Sequence, residues 1–203
     1  MTLLFLVLHH RMYNIRPIER FDIWDNFVNK VQPSTFLHMW SGGEFEQALN
    51  HQIFRCGVYN ERNEIKAVVL ATKIVARRGT FLLCPHGPVI AAANDAELED
   101  ILKTIIKELV CIAKKESCVF VRVSNTIIKT PAHETAFKNA GFKPAPIHVH
   151  AELSWILNII PSEEDILRDM KKSTRYGIKK AERDGIKIVS SNNPEDIELF
   201  WNI

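Results

Sequence analysis

The run from Lys171 to Lys187 reads Lys-Lys-Ser-Thr-Arg-Tyr-Gly-Ile-Lys-Lys-Ala-Glu-Arg-Asp-Gly-Ile-Lys and carries seven basic and two acidic side chains. That is a local balance of +5 in a chain whose whole balance is +2, leaving −3 for the rest. On a helix, Lys171, Arg175, Lys179 and Arg183 fall on one stripe at steps of four, while Leu167, Met170, Thr174, Ile178 and Ala181 form a second, core-facing stripe. Like charges at that spacing repel by a few tenths of a kcal/mol per pair unless an anion sits among them. A guanidinium matches phosphate with two parallel donors, so a phosphate-bearing ligand is one partner for this face. A solvated cationic surface is the other. Gly177 in the middle of such a helix costs about 1 kcal/mol against alanine, which points to a kink or a close approach there.

Other groupings offer less. His148, His150 and Glu152 alternate onto one face of a strand and could begin a metal site. No further histidine or cysteine at a suitable spacing completes a ligand set, so no metal is expected. Cysteines 56, 84, 111 and 118 contain no C-x-x-C pair and read as free thiols in a reducing cytoplasm. There is no G-x-S-x-G elbow and no P-loop lysine.

The composition sets the bounds within which that chemistry must be placed. A chain of 203 residues with 46% hydrophobic and 25% charged residues is neither collagen-like, low-complexity nor wholly disordered. Its net charge of +2 gives no general reason to coat nucleic acid or a membrane. Residues 1–8 are apolar but far short of the ~20 residues a membrane span needs, and they lack the basic start of a secretory signal. Residues 1–12 are expected to be a tail upstream of the fold, and the protein to be soluble.

Periodicity then supplies the elements. Residues 13–19 form a first strand, followed by an amphipathic helix over 22–31 with Ile23, Trp24, Phe27 and Val31 on one face. A short helix is expected over 44–49. Strands 53–59 and 65–76 flank the polar turn 60–63, and strand 80–84 ends at Pro85-His86-Gly87-Pro88. Leu98, Ile101, Leu102, Ile105, Leu109 and Ile112 mark a long helix over 95–115, opened by Asn94 and Glu97 as a capping box. Strand 118–124 and helix 131–139, stopped at Gly141, complete a lobe over 13–146. After Pro144 and Pro146 a long strand over 147–160 leads to one continuous helix from Ser162 to about Asp184. A strand over 186–190 and a helix begun at Asn193-Pro194 follow, so 147–203 reads as the incomplete start of a second lobe. The class is α/β in the mixed α+β sense.

Three stretches resemble one family. Ser154-Trp-Ile-Leu-Asn158-Ile followed by residues 170–187 resembles the T-x-x-L-D-L strand and K-x-T-R-Y-N-I-x-x-A-x-x-x-G-V helix of the Fem-type (FemABX) peptidoglycan-bridge aminoacyltransferases. Cys84-Pro-His86-Gly-Pro-Val89 is similar to that family's P-R-G-P turn, and Phe36-Leu-His38-Met-Trp40 with Gly43-Glu-Phe45 to its F-L-Q-S-x-x-W-G-x-F segment. Gly177 stands for the usual Asn, Asn158 for Asp, His86 for Arg and His38 for Gln. Family members are considerably longer.

The resemblance implies two GNAT-like (acyl-CoA N-acyltransferase-type) lobes and transfer of an amino acid from aminoacyl-tRNA to the peptide-stem amine of a peptidoglycan precursor, UDP-linked or lipid-linked. It implies no cofactor beyond aminoacyl-tRNA as co-substrate, a cytoplasmic protein, and peripheral membrane association where the precursor is lipid-linked. Arg175 aligns with the family's substrate-contacting arginine. Lys171, Lys172, Tyr176 and Lys179 on the same helix, and His38, Trp40 and His86 from the other two motifs, are the further substrate-binding candidates. Residues 121–125 lack the family's acidic-proline ending, so the resemblance carries over no catalytic base. Two other functions stay open: a CoA-dependent GNAT N-acyltransferase, although Arg77-Arg-Gly79-Thr-Phe-Leu is not its Gly-rich phosphate turn, and a non-catalytic truncated remnant.

Overall fold

In a computed structural model of the chain, the described residues are 12–77, 79–147, 149 and 155–202. The expected tail over 1–12 lies outside them except for Met12, as do His148, His150 and Glu152 of the paired-histidine strand. Internal contacts divide the chain into two units, Met1–Glu152 and Leu153–Ile203.

The first unit grows outward from β3 (Ile65–Ala76). β2 (Gln52–Asn60) lies antiparallel to it, and the turn between them is closed by the Asn60 side chain, which accepts from the amides of Arg62 at 3.0 Å and Glu64 at 2.9 Å. β1 (Tyr13–Pro17) pairs with the far edge of β2. On the other side β4 (Gly79–Pro85) runs antiparallel to β3, and β6 (Phe120–Ser124) lies parallel to β4 from Phe81↔Phe120 to Pro85↔Ser124. A parallel neighbour requires a crossover. Here it is α3 (Asp95–Lys115), with the two-residue β5 (Val89–Ile90) placed before it against β3.

β3 is apolar at nearly every position because both of its faces are covered. Ala67, Val69 and Ala71 pack with Ile101, Ile105 and Leu109 of α3, whereas Val68 and Leu70 pack with Trp24 and Val28 of α1 (Phe21–Lys30). α4 (Pro131–Asn139) closes on α3 through Leu98, Leu102, Ala136 and Ala140. The long helix has the boundaries its periodicity predicts. Asn94 accepts from the Glu97 amide at 2.9 Å, but the Glu97 carboxylate reaches back to the amide of Ala93 at 2.6 Å, one residue earlier than a standard box.

One start is earlier than its local sequence suggests. α2 (Trp40–Ala48) begins four residues before the expected Glu44 and follows a 3-10 turn over Phe36–His38. The cause is a cap delivered from another helix: Asp25 of α1 accepts from the Trp40 amide at 2.8 Å.

In the second unit the single helix expected over 162–184 is two. α5 (Glu163–Asp169) and α6 (Lys172–Arg183) are separated at Met170, whose ψ of 154° is extended. Ser162 caps α5 as expected, accepting from the Asp165 amide at 3.2 Å. The kink expected at Gly177 is absent there: α6 passes through it unbroken, and a Cβ at that position would meet nothing within 4 Å. α7 (Asp196–Trp201) follows. The strands expected over 147–160 and 186–190 are irregular where the residues are described. A strand exists only as part of a ladder, and this unit offers none among its described residues, none of which is buried.

Candidate substrate-binding site

His38 is carried by the 3-10 turn to a gap in the sheet. β3 pairs with β5 through Val68 and with β4 from Thr72 onward, so residues 69–71 have no strand on that side. The imidazole fills the gap. The Leu70 amide donates to Nε2 at 3.1 Å, which makes Nε2 the acceptor and leaves the proton on Nδ1, donating to the Pro85 carbonyl at 3.1 Å. The Val68 carbonyl, 3.3 Å from Nε2, is then a neighbour rather than a partner. Trp24 stacks on the ring at 5.7 Å and donates its indole N–H to the His38 carbonyl at 2.7 Å. Burial lowers the His38 pKa from 6.5 to about 4, so the ring is neutral. Both ring nitrogens therefore face protein atoms. Through Pro85 the ring pins the turn that follows β4.

That turn carries His86. Gly87 passes so close that a Cβ there would lie 2.0 Å from the His38 ring, so no other residue fits without displacement. His86 adopts a left-handed φ of 49° and is half-buried, with the Thr35 hydroxyl 2.9 Å from its Nδ1. The Thr126 hydroxyl donates to the Pro33 carbonyl at 2.9 Å. β4 and β6 are parallel and end together, so the segments around 32–35, 86–88 and 125–127 gather at their carboxyl ends. Open α/β sheets bind ligands there.

Pro85 and Pro88 in this turn have no amide hydrogen, and at the start of α3 the Glu97 amide is taken by the Asn94 side chain.

Trp40 is half-buried and held at four points. Its amide is taken by Asp25, its carbonyl accepts from Arg55 Nη2 at 3.0 Å, the Arg55 guanidinium lies 3.7 Å over its ring, and Trp24 meets it edge-on at 6.4 Å. Arg55 was not among the sequence candidates. The signal for it is a lone arginine inside the apolar run of β2.

The remaining candidates stand together on α6. Lys171 is its N-cap residue, and Lys172, Tyr176 and Lys179 are exposed. Arg175 is half-buried and folds back onto the end of α5. Its Nη1 donates to the carbonyls of Arg168 at 2.7 Å, Leu167 at 3.4 Å and Met170, satisfying the helix end that breaks the expected single helix. Nε and Nη2, the donors of the opposite edge of the fork, make no hydrogen bond among the described residues.

The FemAB family matches residues 22–141, more than half of the chain. The chain belongs to the FemAB family. The matched span contains the 36–45 and 84–89 motifs, and so the FemAB-family likeness covers the environment of His38, Trp40 and His86. The crystal structure of FemX overlays with a TM-score of 0.68 at 16% identity, covering 92% of this chain and 48% of FemX. The chain thus spans about half the length of FemX, and at that identity the overlay shows the fold. Weaker likenesses extend to an aminoglycoside 6'-N-acetyltransferase of Acinetobacter haemolyticus (TM-score 0.45, 17% identity, 71% of this chain and 99% of that one). Another is the glucosamine-6-phosphate N-acetyltransferase of Arabidopsis thaliana (0.48, 14%, 70% and 99%). No curated protein sequence matches the chain. Among the described residues of this FemAB-family chain, no helix is long and apolar enough to cross a membrane, and no three His, Cys, Asp or Glu side chains are placed to hold a metal ion.

Proposed function

We propose that this chain serves the transfer of an amino acid from aminoacyl-tRNA to the peptide-stem amine of a peptidoglycan precursor, in the cytoplasm, with no cofactor beyond the tRNA-borne donor. The observation that carries the proposal is Arg175. One nitrogen of its guanidinium is anchored on the α5 carbonyls while the Nε–Nη2 edge keeps two parallel donors, beside Lys171, Lys172 and Lys179 on the same helix. Two parallel donors among cations suit the diphosphate that links a muropeptide to uridine or to a lipid. With a lipid-linked precursor the same face would hold the protein against the membrane surface.

The reaction is aminolysis of an ester. The neutral stem amine attacks the aminoacyl carbonyl, a C–N bond forms, and the ester C–O bond breaks. The proton lost by nitrogen ends on the departing ribose oxygen, and the tetrahedral oxyanion between needs hydrogen-bond donors. Here each unit is taken by itself for holding and orientation: Arg175, Tyr176 and the lysines serve in the second, and Trp40 and His86 serve in the first, where His38 fixes the turn that bears His86.

Calorimetric titration with a UDP-linked muropeptide tests this. Binding is expected, and Arg175→Ala is expected to weaken it by about 1.5–3 kcal/mol, the range for hydrogen bonds to charged groups. Circular dichroism of the variant separates lost binding from lost helix, since the substitution also uncaps α5. Unchanged affinity would remove the phosphate role.

A further inference from the structure

Arg55 is the most deeply buried cation drawn into the Trp40 environment, with 10% of its side chain exposed. A guanidinium so placed must be paired. It is paired unusually: Nη2 alone serves both the Trp40 carbonyl at 3.0 Å and Glu44 Oε1 at 2.7 Å, while Nε is buried with no hydrogen-bond partner among the described residues. The guanidinium carbon instead stands over the indole, 3.7 Å from the ring centre. Gly43 permits this, because a Cβ there would stand 2.4 Å from Nη2 and 3.0 Å from Nε. Leaving a buried donor unpaired is unfavourable, so the position over the ring is kept at the expense of one hydrogen bond. Asp25 on the Trp40 amide and Trp24 on the ring edge complete the clamp.

We infer that Arg55 is a positioning residue: it acts on the ligand through Trp40, holding the indole in one orientation against which a planar or apolar face of the precursor rests, with Gly43 as the clearance that lets it do so. The inference rests on the proposed function for its ligand, and on the geometry for the clamp.

The test uses the full chain and a UDP-linked muropeptide as calorimetric probe, with the near-ultraviolet dichroism of the indoles as a second readout. Arg55→Lys keeps the charge and loses the plane, and Gly43→Ala pushes the guanidinium away without altering it. Both are expected to change the indole band and weaken binding about fivefold, within the range of a partly buried cation–π contact. Trp40→Phe should weaken binding similarly. Adding Arg55→Lys to Trp40→Phe should then lose no further affinity, because the residue acts through the ring. Wild-type affinity in Arg55→Lys with only a lower melting temperature would overturn the inference, as would losses that multiply in the double variant. Failure of both single variants to fold would make Arg55 a stability residue and overturn it equally. A wild-type chain that does not bind the muropeptide is a separate outcome: it sinks the proposed function, and with it the ligand on which Arg55 acts through Trp40.

Discussion

The Leu70 amide donates to Nε2 of His38 at 3.1 Å, so a side chain takes the place of a missing strand beside β3. The same ring donates its one N–H, on Nδ1, to the Pro85 carbonyl at the end of β4, tying the strand to the turn that follows. Removing it in His38→Ala leaves a buried amide and a buried carbonyl unpaired beside a cavity, an expected loss of about 3 kcal/mol or more. Glutamine also offers an acceptor and a donor, so His38→Gln should lose less. Urea unfolding midpoints rank the two, and equal losses would count against the donor–acceptor account.

The neutral ring makes stability depend on pH. His38 titrates at about 4 when folded, through burial, against 6.5 for an ordinary histidine. Between those values the unfolded chain binds the extra proton and the native chain does not. The contribution is therefore complete above about pH 6.5 and is lost as pH falls toward 4, some ~3 kcal/mol in all. Unfolding midpoints measured from pH 7 to pH 5 should fall in the wild type and flatten in His38→Gln. A flat wild-type profile would contradict the buried neutral ring.

Gly87 and Gly177 should respond in opposite directions to alanine. A Cβ at Gly87 would collide with the His38 ring at 2.0 Å, whereas one at Gly177 would meet nothing within 4 Å. Gly87→Ala is expected to destabilise by about 3 kcal/mol. Gly177→Ala should leave stability unchanged or raise it by up to about 1 kcal/mol by improving helix propensity. Thermal melts of the two variants make the comparison, and a neutral Gly87→Ala would mean the turn is not held against His38.

The four thiols should separate by reactivity. Cys111 is exposed, Cys118 is half-buried with its pKa raised by burial, and burial pushes Cys56 up to about 11 and Cys84 to about 12. Because the thiolate is the nucleophile, iodoacetamide at mildly alkaline pH should modify Cys111 first, Cys118 more slowly, and the other two only on unfolding. Peptide mass spectrometry reads the order. Early labelling of Cys84 would place it outside the core.

What the sequence made legible was whatever its own period or caps determine. The 3.6-residue repeat and the Asn94 cap placed α3, and Pro131 with Gly141 bracketed α4, because each signal lies within the element it shapes. The departures came from partners distant in sequence. α2 starts at Trp40 because Asp25 caps it from α1, and β5 exists because two residues happen to lie against β3. The break at Met170 accompanies a bond from Arg175, five residues on, that periodicity cannot register. The site shows the same division. The motifs marked His38, Trp40, His86 and Arg175, but only the packing shows that His38 is enclosed and that Arg55 lies beneath Trp40.

The transfer itself can be measured directly. Incubating the chain with a mixture of tRNAs charged with labelled amino acids and a UDP-linked or lipid-linked muropeptide should move label onto the peptide stem, and Arg175→Ala should slow that transfer. Label that stays on tRNA with both precursors, together with acetyl transfer from acetyl-CoA to an amine by the same preparation, would contradict it.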